Sequence, residues 1–314
     1  MGSGAAAQLE NAYQQVIKEV LPSVVEIRTE QALGSGVIYD KLGDIVTNAH
    51  VVGSATTFQV QLAGRANSVH ATLRGTYDAS DLAVIRLDDA SAVQPASFGR
   101  SADLRVGDLV LAMGNPLGLA SSVTNGIVSA LGRTVSEPQG QGSPGATIPD
   151  AIQTSAPINP GNSGGALVDM NAQVVGIPTL AAVDPESGSA APGIGFAISS
   201  DTVRRIAPQL IATGKVTDSG RAALGVRVST VTDPQGQPQG VGVASVTPGG
   251  PAAKAGIQPG DVIVSVAGQP TPTTQALADV LANLRVGQTV TVGLLRNGSQ
   301  STTTVQVTLG QLTS

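Results

Sequence analysis

Short runs of β-forming residues, broken at close intervals by Gly, Pro, Asn and Asp, fill the chain between residues 23 and 198. Leu82–Leu87, Asp108–Met113 and Gln173–Ile177 are examples. Roughly a dozen such runs over one region are typical of an all-β barrel or sandwich pair. The 39 glycines and 19 prolines supply the turns that such strands need. We therefore predict a mainly β fold for this part of the chain.

Two helical patterns border the β-rich region. Residues 8–21 carry apolar side chains at helical spacing until Pro22 ends the pattern, which predicts a short helix. A second stripe follows Ser199–Asp201, which can cap a helix, and Gly214 is a natural stop. Pro208 lies inside this stripe and can kink or shorten the helix.

The polar segment 215–220 predicts a linker between two domains. Residues 1–214 are expected to form the first domain. Residues 1–7 are expected to lie outside its folded part, because Met1–Gly4 resembles an added expression leader. Residues 221–314 have the size of a small domain. Their pattern predicts strands near 224–229, 241–246, 261–266, 289–296 and 302–308, with helices near 251–255 and 274–284.

Composition excludes several classes of function. The chain has no cysteine, so disulfides, thiolate metal sites and cysteine catalysis are excluded. The net charge is −5 and no basic block occurs, which argues against a nucleic-acid partner. No apolar run approaches the ~18 residues of a membrane helix. We expect membrane anchoring only through a segment outside this sequence.

Two long stretches rich in Gly, Pro and small polar residues interrupt the predicted strands, at 133–150 and 181–193. Irregular segments of this length within a compact domain are usually functional loops or disordered. We predict functional loops at both places.

The sharpest local motif is Gly161-Asn162-Ser163-Gly164-Gly165. A nucleophilic serine needs flanking glycines, because the backbone must turn tightly and aim its amides at one point to hold an oxyanion. Alone, the motif also matches the Gly-x-Ser-x-Gly elbow of α/β-hydrolases. It equally fits a glycine-rich turn with an incidental serine.

The positions of the histidines relative to Ser163 limit the catalytic triads that the chain can form. The chain has two, His50 and His70, and both precede Ser163. An α/β-hydrolase requires its histidine after the serine, so that triad is excluded. The subtilisin order remains formally open through Asp40 or Asp44, and the order His, Asp, Ser fits best.

Strand context then favours one histidine and one aspartate. His50 lies within Ile45–Val52, where a β-run ends in the histidine and an apolar core can hold a general base at a cleft. His70 lies in a plain alternating strand. Asp81 opens the apolar strand Leu82–Leu87 and is the preferred acid, while Asp78 is interpreted as a turn residue.

Several segments together closely resemble the HtrA serine proteases: Thr47-Asn48-Ala49-His50-Val51-Val52, Asp81-Leu82-Ala83-Val84, Asn159-Pro160-Gly161-Asn162-Ser163-Gly164-Gly165 and Gly193-Ile194-Gly195-Phe196-Ala197-Ile198. The resemblance covers nearly the whole chain. It implies a chymotrypsin-like double β-barrel in which His50 is the base, Asp81 orients it and Ser163 attacks. It also implies an oxyanion hole at Gly161, Asn162 and Ser163, with amide donors from Gly161 and Ser163. Where the family has Gly-Ile-Asn-Thr, this chain has Gly176-Ile177-Pro178-Thr179, so the preference for the P1 residue transfers least.

The C-terminal unit resembles the PDZ domains of the same family, a small α/β fold. Its carboxylate-binding loop corresponds to Ala223, Leu224, Gly225 and Val226. The resemblance implies that a free C-terminal peptide adds as a strand, with the helix near 274–284 as the second wall of the groove.

The resemblance implies an ATP-independent endopeptidase acting on unfolded or damaged proteins, and no phosphate-binding loop of the Walker type occurs. No cofactor and no metal are expected. Further expectations are a homotrimer, a location in the bacterial cell envelope, and a resting state in which the oxyanion hole is not always formed. An alternative is a peptide-binding holdase in which cleavage is secondary.

Overall fold

The computed structural model describes residues 4–29, 32–65, 67–91, 93–115, 122–137, 146–159, 161–183, 190–233, 235–296 and 301–313. The chain divides into two compact units, Met1–Val216 and Thr217–Ser314.

The first unit begins with helix α1 (Ala5–Val20), which starts earlier than the sequence predicted and includes three of the residues expected to lie outside the fold. A closed barrel follows in the order β1-β2-β3-β6-β5-β4. Helix α2 (Ala49–Val52) follows its third strand. The six strands are β1 (Val24–Arg28), β2 (Leu33–Ile38), β3 (Asp44–Thr47), β4 (Thr57–Gln61), β5 (Val69–Tyr77) and β6 (Leu82–Leu87).

Strands β3 and β6 pair antiparallel, and this pairing sets the geometry of the site. Thr47 is opposite Ala83, so the residues after β3 and those before β6 meet at one end of the barrel. At the other end, the fully buried Asp44 side chain accepts hydrogen bonds from the guanidinium of its partner Arg86. Burial raises the pKa of the Asp44 carboxyl, and the bond from Arg86 opposes this effect. The ion pair therefore fastens the two strands at the end opposite the site.

A second sheet has the order β11-β8-β9-β10-β13-β12-β7, and pairing of β11 with β12 closes it into a second barrel. Two barrels in one unit agree with the predicted mainly β fold. The strands are β7 (Ser97–Phe98), β8 (Leu109–Gly114), β9 (Ser122–Glu137), β10 (Ala146–Thr154), β11 (Ala166–Asp169), β12 (Gln173–Val183) and β13 (Ala190–Ser199).

The two predicted loops are only partly described. Residues 133–137 and 146–150 belong to β9 and β10, and residues 181–183 and 190–193 belong to β12 and β13. The prediction of loop structure was wrong for these parts, because strand pairing continues into them. The rest of both predicted loops, at 138–145 and 184–189, lies outside the described residues.

Helix α3 (Ser200–Thr213) packs on the first barrel through β5 and β6. It runs through Pro208 without ending there, and Gly214 closes it in the left-handed conformation at φ 71°. Within the described ranges, no helix has the length and apolar character needed to cross a membrane.

The second unit is a small α/β fold, as the sequence predicted. Its main sheet has the order β15-β16-β17-β19-β20, which leaves β15 at an edge. Helix α5 packs its buried Leu277 on the core. The elements are β14 (Ala222–Ala223), β15 (Val226–Thr232), β16 (Pro238–Val246), α4 (Pro251–Lys254), β17 (Val262–Val266), β18 (Gln269–Pro270), α5 (Thr274–Ala282), β19 (Thr289–Leu295), β20 (Thr303–Thr308) and β21 (Gly310–Gln311).

Candidate active site

His50 and Asp81 form a close pair at the end of the first barrel. His50 follows β3 in helix α2, and Asp81 directly precedes β6. The imidazole Nδ1 lies 2.8 Å from Asp81 Oδ2, and the backbone N–H of His50 donates to Oδ1 at 2.9 Å. Because one carboxylate binds both the ring and the backbone of the same residue, it fixes the orientation of the imidazole.

The backbone of Asp81 is itself held in an uncommon conformation. Its φ of 51° and ψ of 43° lie in the left-handed region, where Asp and Asn are the side chains best tolerated after Gly. The carbonyl of Asp81 accepts hydrogen bonds from Asn48 Nδ2 at 3.1 Å and from the Ala49 N–H at 3.2 Å. The Asp81 side chain is 1% exposed, so the fold presents buried carboxyl oxygens to the imidazole.

The rival residues lie elsewhere. His70 pairs with Asp88 at 2.6 Å, and both side chains are exposed. Asp78 is exposed in a short 3₁₀ turn. Asp44 is paired with Arg86. Asp40 Oδ1 accepts hydrogen bonds from the N–H groups of Leu42 and Asp44, between β2 and β3. The structure therefore places Asp81 at the imidazole of His50, whereas Asp44 and Asp88 are each paired with another residue.

Thr179 joins the two halves of the site and was missed as a site residue by the sequence analysis. Its hydroxyl donates to Asp81 Oδ2 at 2.5 Å, and its carbonyl accepts the hydroxyl of Ser163 at 3.2 Å. The Thr179 side chain is buried in β12. Because Thr179 and Asp81 are 98 residues apart, no local motif links them. In the sequence, Thr179 is marked only as part of the segment Gly176–Thr179 near the expected P1 pocket.

Ser163 lies in a tight loop packed between the barrels. At the next residue, Gly164, a Cβ would lie 2.3 Å from the carbonyl oxygen of Ser35 and 2.4 Å from Thr47 Oγ1. Glycine is therefore required by close approach to the strand that leads to His50. Among the described residues, the Ser163 hydroxyl bonds to Thr179 and makes no hydrogen bond to His50.

The amides of this loop alternate between bonded and free. Asn162 N donates to Asn159 O at 3.1 Å, and Gly164 N donates to Pro178 O at 2.9 Å. Within the described part of the chain, the N–H groups of Gly161 and Ser163 donate no hydrogen bond. Two free donors therefore flank one bonded amide. Pro160, and with it the orientation of the Pro160–Gly161 peptide, lies outside the described residues.

Asn162 shapes this loop through its side chain. Its Oδ1 accepts the Asn159 N–H at 3.0 Å, and its Nδ2 donates to Pro157 O at 3.1 Å. Since its own amide is also bonded, Asn162 supports the loop, and the free donors are those of its two neighbours.

The second unit carries a separate pair of free amides. The carbonyls of Leu224 and Gly225 accept bonds from Ala252 N and Thr247 N, both at 2.9 Å. Among the described residues, the N–H groups of Leu224 and Gly225 donate none. They lie directly before the edge strand β15, of which Val226 is the first residue, while Ala223 pairs in β14. An anionic group at the end of an added strand can accept hydrogen bonds from both N–H groups.

These features define a class of protein. Two β-barrels carry a half-buried His bonded to a buried Asp beside a glycine-flanked serine, and a unit with an open edge strand follows. Residues 34–177 match the family described as a trypsin-like peptidase domain, and residues 222–307 match the PDZ domain family. The class is a trypsin-like serine peptidase with a PDZ domain.

Individual relatives define the family. Serine protease PepD of Mycobacterium tuberculosis is 41% identical over 98% of this chain and 68% of its own length. Periplasmic serine endoprotease DegP of Escherichia coli is 41% identical over 86% of this chain, which spans 55% of DegP. A solved structure of the HtrA-type protease AlgW with a decapeptide has a TM-score of 0.62 and 33% identity, and the match covers 95% of this chain and 98% of that one. The chain belongs to the HtrA family and is a serine endopeptidase.

Proposed function

We propose that this endopeptidase cuts unfolded or damaged protein segments with Ser163 as nucleophile, His50 as general base and Asp81 as the residue that orients His50. The observation that carries the assignment is the buried Asp81 carboxylate, which binds both the ring and the backbone of His50 beside the Ser163 loop. Asp81 accepts Nδ1–H, so Nε2 of His50 is left as the proton acceptor.

The reaction follows from this arrangement. The Ser163 hydroxyl turns from the Thr179 carbonyl towards His50, gives its proton to Nε2 and attacks the substrate carbonyl carbon. The oxyanion that forms accepts hydrogen bonds from the free N–H groups of Gly161 and Ser163. His50 then protonates the leaving amine, which leaves an acyl group on Ser163. In the second half, His50 takes a proton from water, the water oxygen attacks the acyl carbon, and His50 returns the proton to the Ser163 oxygen as the acid product leaves.

Labelling with a fluorophosphonate probe followed by peptide mapping tests the nucleophile, its base and the oxyanion site in one experiment. We expect a single phosphonylated residue, Ser163. Modification of another serine, or none at all in a protein that hydrolyses peptides, would contradict the assignment.

Thr179 supports Asp81 in this proposal. Thr179→Val keeps the side-chain shape and removes the hydroxyl that donates to the carboxylate. A hydrogen bond to a charged group contributes roughly 1.5–3 kcal/mol, so we expect kcat to fall at least about tenfold. Steady-state kinetics on a peptide substrate give the value. Thr271→Val, which alters a buried threonine of the second unit, controls for lost stability. An unchanged kcat in Thr179→Val would refute the supporting role.

The second unit is proposed to bind the free C-terminus of a peptide. The peptide carboxylate would accept hydrogen bonds from the N–H groups of Leu224 and Gly225, beside Val226. The peptide backbone would extend the sheet as a strand next to β15. The apolar side chains of Val226, Val228 and Leu281, which pack on the core of this unit, favour an apolar C-terminal residue.

Amidation of the peptide tests the carboxylate site. We expect an amidated peptide to bind at least about tenfold more weakly than the free acid, because charge-assisted hydrogen bonds are about twice as strong as neutral ones. Fluorescence anisotropy on the Ser163→Ala protein measures binding without cleavage. Equal affinity of the two peptides would show that these amides do not hold a carboxylate.

Peptide occupancy is proposed to raise the rate of cleavage by stabilising the formed oxyanion hole. Addition of a bound, uncleaved peptide to the full chain should then raise kcat, and a rate that does not respond would count against this regulation. The endopeptidase is further proposed to work in the cell envelope, as the periplasmic DegP relative supports.

A homotrimer is proposed with helix α1 at the contact. Val16 and Val20 are buried against their own unit, whereas Leu9 is 41% exposed and Tyr13 is half-buried, so the first half of the helix offers apolar surface. Light scattering at several concentrations measures the mass, and a monomer throughout would end this proposal.

The free amides beside β15 also favour a second function, which needs no triad: holding unfolded chains without cutting them. The Ser163→Ala protein should then suppress aggregation of a denatured protein. A lack of suppression would leave proteolysis as the function.

A further inference from the structure

Ser35 lies on β2 and points away from the first barrel. Its neighbours Gly34 and Gly36 face inwards, where a Cβ would lie 2.6 Å from Val51 Cγ1 and 2.5 Å from Ile45 Cγ2. Because side chains alternate along a strand, Ser35 faces the opposite way. It is fully buried there against the loop that carries Ser163.

Three hydrogen bonds join Ser35 to that loop and to the end of β8. Its backbone N–H donates to the Ser163 carbonyl at 3.0 Å. Its hydroxyl donates to the Gly161 carbonyl at 2.5 Å and accepts the Asn115 N–H at 2.9 Å. A hydroxyl has one proton, and since the Asn115 N–H occupies a lone pair, that proton is directed to Gly161.

The Gly161 carbonyl belongs to the peptide unit that separates the two free amides. The N–H of the same unit, from Asn162, donates to Asn159 O at 3.1 Å. The unit is therefore held on both sides, by Ser35 at its oxygen and by Asn159 at its nitrogen. Because Gly161 has φ of 116° and no Cβ, its backbone would otherwise turn at little cost.

We propose that Ser35 is a positioning residue for the oxyanion hole: its hydroxyl holds the Gly161–Asn162 peptide so that the Gly161 and Ser163 amides stay free for the oxyanion. This rests on the proposed role of Ser163 as nucleophile. Ser35 touches neither substrate nor His50 in this role. Its loss acts on the stage of the reaction at which negative charge forms on the substrate oxygen.

Ser35→Ala removes the hydroxyl, so the Gly161 carbonyl loses its donor and the Asn115 N–H loses its acceptor. The Gly161–Asn162 peptide is then free to turn. Removal of a whole oxyanion donor costs about 10²–10³ in kcat, and we expect an indirect loss of about 10- to 100-fold with KM within about threefold. Ser200→Ala is the matched control, since the Ser200 hydroxyl is also fully buried and donates to a backbone carbonyl, that of Gly99, at 3.0 Å. We expect kcat of Ser200→Ala to stay within about threefold of that of the parent.

A pair of inhibitors separates positioning from general damage. A peptide aldehyde forms a tetrahedral adduct with an oxyanion, and the corresponding peptide alcohol does not. Ser35→Ala should lose about 10- to 100-fold of the preference for the aldehyde over the alcohol, with alcohol binding retained. Ser200→Ala should keep the preference, and thermal unfolding of both variants reports any stability loss.

Three outcomes decide the matter. Retention of kcat and of the aldehyde preference in Ser35→Ala overturns the positioning role. Equal loss of aldehyde and alcohol binding overturns it as well, because it shows that the site has collapsed. If the parent protein itself binds aldehyde and alcohol equally and resists the fluorophosphonate probe, Ser163 is not the nucleophile. Failure of the proposed function is thus distinguished from failure of the role of Ser35.

Discussion

Ser163→Ala is expected to lower kcat for peptide hydrolysis by about a million-fold, since removal of the serine or the histidine of a triad costs nearly as much as removal of the whole triad. The change deletes one oxygen, whose hydrogen bond in the structure goes to the Thr179 carbonyl. The free amides of Gly161 and Ser163 belong to the backbone and remain in place. The fold should therefore persist while the chemistry stops. Hydrolysis of a denatured, dye-labelled protein and of a peptide gives both measurements.

Two controls accompany this variant. Thermal unfolding of the first unit should be within a few degrees of the parent, because a change of under about 1 kcal/mol shifts the midpoint by only about 2–4 °C in a unit of the size of Met1–Val216. Binding of a C-terminally free peptide to the second unit should be unchanged. A Ser163→Ala protein that still cuts after removal of trace proteases would rule out the triad.

Asp81→Asn should lower kcat by about 10⁴-fold near neutral pH. The carboxylate accepts three hydrogen bonds, from His50 Nδ1, the His50 N–H and the Thr179 hydroxyl. An amide has one acceptor oxygen in place of two and adds an NH₂ donor. It therefore cannot accept all three, and an NH₂ facing Nδ1 would hold the imidazole in the tautomer with its proton on Nε2. His50 would then be unable to take the proton of Ser163.

Asparagine is the suitable replacement because it keeps the shape of the side chain and suits the left-handed backbone of position 81 better than Ala does. Asp88→Asn is the matched control: it makes the same chemical change in the exposed pair with His70. We expect Asp88→Asn to keep the parent rate. Equal rates for Asp81→Asn and Asp88→Asn would show that Asp81 does not orient the base.

Much of this protein was determined by local sequence. Short runs of β-forming residues predicted the strands, because Gly, Pro, Asn and Asp break them at close intervals. The glycines around Ser163 marked the tight loop, since only residues without a Cβ fit where the structure has Gly164 against Ser35 and Thr47. The placement of both histidines before Ser163 excluded one triad order without any structure.

Other features were decided by tertiary structure alone. Pairing of β3 with β6 brings His50 to Asp81. Pairing of β11 with β12 brings Thr179 to Ser163, and contact between the two barrels brings Thr179 to Asp81. The bond from Ser35 to Gly161 spans 126 residues. Threonine and serine are common in strands, and their hydroxyls reveal no partner until distant strands are placed side by side. The sequence by itself singled out the residues proposed to do the chemistry, and the tertiary structure decided which residues hold them, because positioning depends on contacts that no local pattern encodes.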